Sequence, residues 1–160
     1  MASYRHLSRI TVMQTIFEYE FLSSMDRKGL KAAKLEPEKL LKYNLRHIGE
    51  KLSDTSFAEQ TLKGILARKK KILKIIQETA PEWPVDKIAP VDRAILEIGV
   101  FEIVYADDIP PVVAINEAIE IAKTYGDTNS PKFINGVLSS VMTKYKKNNL
   151  KVKNEQIRKT

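Results

Sequence analysis

Prolines constrain this chain more than any other residue type, because most of them stand where an α-helix can begin. Proline has no N–H to donate and tolerates only the first helical turn. Pro37, Pro90, Pro111 and Pro131 each precede apolar residues at helical spacing. The first helix, predicted from Ser3 to Phe21, lacks such a head and runs into the loop Ser23 to Gly29. The second is expected from Pro37 to Leu52. Ser56-Phe57-Ala58-Glu59 has the form of a capping box opening a long third helix to Thr79, in which Ile65, Ile72 and Ile76 keep one face across the charged run Arg68 to Lys71. That run reads as a solvated face. Pro81 and Pro84 bracket Trp83 and mark a mid-chain break, followed by a short turn at Val85 to Ile88.

From Pro90 a helix carries apolar residues almost all round, from Val91 through Ile95, Leu96, Ile98 and Phe101 to Val104, and should be the most buried. Asp107-Asp108-Ile109-Pro110-Pro111 ends it and starts the next, which runs to Tyr125 with Gly126 as a left-handed cap. Ser130 then serves as N-cap and Pro131 as first residue of a last helix through Tyr145. No strand alternation interrupts this pattern. The expectation is an all-α fold of about seven helices in two packed antiparallel bundles: one helical domain over 1–147, with subdomains about 3–80 and 85–147, and a basic, disordered tail at 148–160.

The chain has 160 residues and no cysteine, so thiolate chemistry is absent and His6 and His47 are the only imidazoles. No run approaches the roughly 18 apolar residues of a membrane span, and no secretion signal opens the chain; a cytoplasmic protein is expected. The net charge is +7, but Lys144 to Thr160 holds seven Lys or Arg against Glu155 alone, so the tail carries +6 and the body about +1. A nucleic-acid site on the body must therefore be a local patch, with the tail adding sequence-blind attraction to phosphates.

Catalytic constellations are missing: there is no Gly-rich phosphate loop, HExxH pair or nucleophile setting, and Asp107-Asp108 reads as an exposed helix end. The pattern predicts a binding protein, not an enzyme, without cofactor or metal. Arg5 and Arg9 lie four apart on one ridge with no acid before Glu18. Cations there oppose the helix dipole, which favours a ligand-serving role, with solvated surface arginines as the alternative. On the last helix Ile134, Val137, Leu138, Val141 and Tyr145 form one stripe, and Phe133 falls about 100° from its centre. Beside Lys132 and after Thr128-Asn129-Ser130, that ring could stack an unpaired base, or simply pack at the edge of the core.

The blocks Val91-Asp92-Arg93-Ala94-Ile95-Leu96, Phe101-Glu102-Ile103, Asp108-Ile109-Pro110, Val113 to Ala118, Ala122-Lys123 and Lys132 to Leu138 stand in the order of the NusB family, which the chain resembles over roughly residues 4–142. The resemblance implies a transcription antitermination factor. It would recognise single-stranded boxA RNA of nascent ribosomal transcripts jointly with the small-subunit ribosomal protein NusE, and work with other Nus factors and RNA polymerase. It implies RNA contact at Arg5, His6, Arg9, Asn129, Lys132 and Phe133, and contact with the ribosomal protein at Phe17 and Asp92. The alternative is a helical adaptor that binds the ribosomal protein and leaves RNA to it. Glu97 departs from the family, standing where arginine is usual.

Overall fold

The computed structural model describes residues 3–26, 35–48 and 54–146, with the backbone alone for Asp26 and Lys146. The described residues form seven α-helices and no strand: α1 (Tyr4–Asp26), α2 (Pro37–His47), α3 (Ser56–Ala67), α4 (Lys69–Thr79), α5 (Pro90–Tyr105), α6 (Pro111–Tyr125) and α7 (Ser130–Val141). A 3-10 turn spans Val85–Lys87, and a π-helical turn, Met142–Lys146, continues α7. The chain separates into two compact units, Met1–Arg68 and Lys69–Thr160.

In the first unit α1 packs against both α2 and α3. Val12, Met13 and Ile16 of α1, Leu41 and Leu45 of α2, and Ala58, Leu62 and Ile65 of α3 are buried. Burying each large aliphatic side chain is worth about 1.5–3 kcal/mol, which exceeds what helix propensity supplies. Asn44 adds a polar tie, its Nδ2 donating to Thr15 Oγ1 at 3.0 Å and Glu18 Oε2 at 2.8 Å.

Several helix ends differ from the sequence expectation. α1 continues past Phe21 to Asp26, because Ser23 to Asp26 contain no breaker and Ser24 Oγ turns back to donate to Phe21 O at 2.7 Å. α2 ends at His47, where Ile48 closes the last turn onto Leu45 O; the expected end at Leu52 lies outside the described residues. Thr55, not Ser56, is the N-cap of α3, and its hydroxyl meets Glu59 Oε1 at 3.2 Å. The preceding Asp54 accepts the Ser56 N–H at 2.9 Å, and the hydroxyl and N–H of Ser56 hold its carboxyl below the ordinary aspartate range.

The expected long third helix is two. Arg68 leaves the helical range at φ −119°, ψ 15°, with its N–H on Ile65 O. Ile65, Ile72 and Ile76 are nevertheless each fully buried, so the apolar period runs through a break it cannot reveal. Within the charged run Arg68, Lys70 and Lys71 are exposed as expected, but Lys69 pairs with Glu97, whose side chain is wholly buried in α5.

In the second unit α4 packs on α5 and α7, and α6 packs on both α5 and α7. This explains why the units divide at Arg68 while the sequence marks Pro81 to Pro84: α4 shares its core with the helices after the prolines. The proline segment is a turn inside the second unit, held by Gln77 Oε1 accepting the Val85 N–H at 2.9 Å. As the apolar pattern requires, α5 is buried along most of its length.

Gly126 is not the left-handed cap that its place after Tyr125 suggests, since its backbone is extended at φ −85°, ψ −173°. Space, not torsion, demands glycine there. A Cβ would lie 2.5 Å from Ser130 Cβ and 2.9 Å from Ala122 O. Asn129 rather than Ser130 is the N-cap of α7, which makes Ser130 the first helical residue and frees its hydroxyl for other work.

Candidate nucleic-acid interface

The first cluster is built on α1 and α3. Four-residue spacing puts Arg5 and Arg9 on one ridge, and the structure sets both over the ring of Phe57, with guanidinium carbons 4.7 Å and 5.2 Å from its centre. The two arginines differ in access. Arg5 is exposed, whereas Arg9 is only 3% exposed, so the expected pair of projecting cations is one surface cation and one buried cation. His6 is half-buried, its N–H bonded to Ser3 Oγ at 3.1 Å. In the sequence Phe57 stands only in a capping motif; what sets its ring under the arginines is a contact between two helices, which spacing along one helix does not carry.

The second cluster belongs to the other unit. Phe133 is half-buried, as its offset from the apolar stripe predicts, and Trp83 meets it edge-on at 6.4 Å between ring centres and 70° between planes. Trp83 is itself 55% exposed. Lys132 and Asn129 are exposed beside the ring, and Asn129 makes no side-chain cap to α7. Clefts lie on either side of Phe133. One of about 430 Å³ is lined by Thr79, Lys132, Gly136 and Val137 among others; one of about 330 Å³ includes Trp83, Lys87, Asp92 and Ser130. In the sequence Trp83 marks only the break between Pro81 and Pro84. Its value as a second stacking surface depends on a contact fifty positions away in sequence, which periodicity cannot supply.

Asp92 is 8% exposed in the first turn of α5, and its Oδ2 accepts the Ser130 hydroxyl at 3.0 Å. Ser130 Oγ in turn accepts the Asp127 N–H at 3.0 Å, so one hydroxyl pins the approach to α7 onto α5. Burial pushes the Asp92 carboxyl above the usual aspartate range; the Ser130 hydrogen bond opposes this, and the charge of Asp127 adds a smaller rise. Phe17, half-buried on α1, stacks on Phe21 at 6.3 Å with planes 10° apart, and Phe21, Leu22 and Met25 continue an exposed apolar surface. Phe17 thus joins an accessible face, while Asp92 does not.

Among the described residues no cluster of three or more His, Cys, Asp or Glu could hold a metal ion, and no helix is long and apolar enough to cross a membrane. Asp107 and Asp108 are exposed.

The family model described as the NusB family matches residues 6–143. The transcription antitermination protein NusB of Bacillus pumilus is 38% identical over 147 residues, covering 92% of this chain and 97% of that protein. Its counterpart in Bacillus licheniformis is 35% identical over 137 residues, covering 86% and 95%. Among solved structures, T. maritima NusB aligns with a TM-score of 0.76 at 30% identity, covering 91% of this chain and 94% of that one. A crystal structure of antitermination factors NusB and NusE in complex with dsRNA aligns with a TM-score of 0.74 at 23% identity, covering 91% and 100%, a likeness of fold.

Proposed function

The chain belongs to the NusB family, and we propose that it is a transcription antitermination factor that binds boxA RNA of nascent ribosomal transcripts together with the ribosomal protein NusE. In that role it supports read-through by RNA polymerase alongside the other Nus factors. The work is done in the cytoplasm, by binding and without catalysis.

The observation that carries this reading is the head of α7, where a half-buried Phe133 supported edge-on by Trp83 stands beside exposed Lys132 and Asn129. An aromatic face next to a cation suits an unpaired base and its phosphate, because every base has a face to stack while the phosphate needs positive charge. In the other unit Arg5 and His6 offer contacts to the RNA backbone, with buried Arg9 packing on the same Phe57 ring as Arg5. Phe17 and the exposed apolar residues after it form the surface for the ribosomal protein. Asp92, assigned to that surface by resemblance, contributes through the position of Ser130 instead of by direct contact.

The test is binding of labelled boxA RNA to the purified chain with and without NusE. Affinity for boxA above that for a scrambled RNA, increased by the partner, is expected. Equal affinity for both RNAs, unaltered by the partner, refutes the reading. A second reading, an adaptor that binds NusE and leaves RNA to it, draws on the burial of Arg9 and the near-neutral body. It requires boxA affinity of the complex to be indifferent to changes at Phe133.

A further inference from the structure

The cleft beside Phe133 does not end there. A second of the same size, about 430 Å³, adjoins it along α7 and shares Thr79 with it; Ser140, Thr143 and Lys144 line its outer part. The two clefts meet at Thr79 between α4 and α7, one reaching toward Phe133 and the other toward the π-helical turn, and together they are the α4–α7 groove. Lys132 stands at one end and Lys144 at the other, both exposed.

The hydroxyls of this groove have a common polarity. Thr79 Oγ1 donates to Ile75 O at 2.6 Å, Ser140 Oγ to Gly136 O at 3.0 Å and Thr143 Oγ1 to Ser139 O at 3.0 Å. With each proton engaged on its own helix, the oxygens offer lone pairs only. Glu78, which lines the outer cleft, is likewise an acceptor; Tyr145 donates to it at 2.9 Å, and Lys74 and Lys144 offset its charge from 3.9 Å and 3.8 Å. The middle of the groove is left bare by Gly136, where an added Cβ would meet nothing within 4 Å. Glycine inside a helix weakens it relative to alanine. No packing contact asks for it here, and its effect is to let another molecule approach the helix closely.

A floor of acceptors with cations at both ends fits a specific partner. Phosphates also only accept, so they are drawn to the lysines and not to the floor. Ribose 2′-hydroxyls donate, and deoxyribose has none. We propose that the α4–α7 groove is a second RNA subsite, which takes nucleotides flanking those held at Phe133 and selects ribose over deoxyribose through the acceptors of Thr79, Ser140 and Thr143. The proposal rests on the reading of Phe133 as an RNA contact.

The experiment uses the full chain with its ribosomal partner and anisotropy titrations of labelled boxA RNA, alone or extended at either end by about six nucleotides. The extension is made once in ribose and once in deoxyribose. A ribose extension at one end is expected to tighten binding by about two- to tenfold per hydrogen bond formed, and the matching deoxyribose extension to give little of that gain. Ser140→Ala combined with Thr143→Val, both at exposed positions away from Phe133, removes two of the three acceptors and should cut the difference between the two sugars to a third or less of its free energy, while the short boxA RNA binds as before. Equal gains from both sugars would reduce the groove to phosphate attraction and overturn the proposal. So would no gain from any extension, or a sugar difference undiminished in the double variant; in each case binding of the short RNA leaves the reading of Phe133 standing. Failure of the short RNA to bind overturns both.

Discussion

The hydroxyl of Ser130, the first residue of α7, donates to Asp92 Oδ2 in the first turn of α5 at 3.0 Å, joining two helix starts through one buried carboxylate. Because burial lifts this carboxyl above its ordinary range, folding favours its protonated form. Its contribution to stability is therefore greatest below the pKa of the unfolded chain and declines as pH rises through the folded value. Asp92→Asn keeps an acceptor for Ser130 and removes the buried charge. The variant should melt higher than the parent at neutral pH, with the difference shrinking in acid; a difference independent of pH would contradict this.

Phe133→Ala should reduce boxA affinity of the partnered complex by about five- to 150-fold, the range for removing one stacked base. Its ring is half-exposed, so melting should change far less than for a core phenylalanine, whose truncation costs about 3–5 kcal/mol. Trp83→Ala should share the binding loss in part by leaving Phe133 without its edge-on neighbour. A collapse in stability with normal binding by the folded fraction would assign Phe133 to the core.

Arg5 and Arg9 sit over the same ring but should fail differently. Arg5→Ala is expected to lower the slope of log affinity against log salt by about 0.7, as for one lost phosphate contact, with little change in melting. Arg9→Ala removes a buried cation from the face of Phe57 and should cost about 1–2 kcal/mol of stability. Salt titrations and thermal melts of the two variants separate these outcomes.

Gly126, which follows α6, and Gly136, in the middle of α7, should respond in opposite directions to alanine. Gly126→Ala drives a methyl into Ser130 and the Ala122 carbonyl, at a cost of about 1–3 kcal/mol. Gly136→Ala meets no neighbour and should stabilise the helix by about 0.5–1 kcal/mol. Denaturant melts of both variants check the sign.

Removing residues 148–160 takes away Lys151, Lys153, Arg158 and Lys159. Affinity should fall for all RNAs alike and its salt dependence should flatten, while the preferred sequence stays the same. An unchanged slope would make the tail a bystander.

The all-helical class and most helix starts were legible because proline and apolar spacing are local signals: Pro37, Pro90 and Pro111 each open a helix as expected. The break at Arg68 was not, since a turn that preserves the apolar period leaves no trace in it. The ridge of Arg5 and Arg9 was visible, but the burial of Arg9 depends on Phe57, forty-eight positions along and on another helix. Phe133 could be placed at the edge of the stripe from its angle alone; Trp83 beside it could not. Gly126 shows the same limit, because its position after a helix suggests a torsional role when the real constraint is the neighbouring Ser130.

The pairing of Lys69 with the wholly buried Glu97 restricts how these two positions can change over descent. The two partners are not equivalent, since Glu97 is wholly enclosed whereas 31% of the Lys69 side chain meets solvent. Losing Lys69 takes a cation from a carboxylate that water does not reach, while an uncharged residue at 97 leaves a lysine able to turn outward. A lineage therefore leaves this arrangement most cheaply through position 97, and position 69 can vary only afterwards.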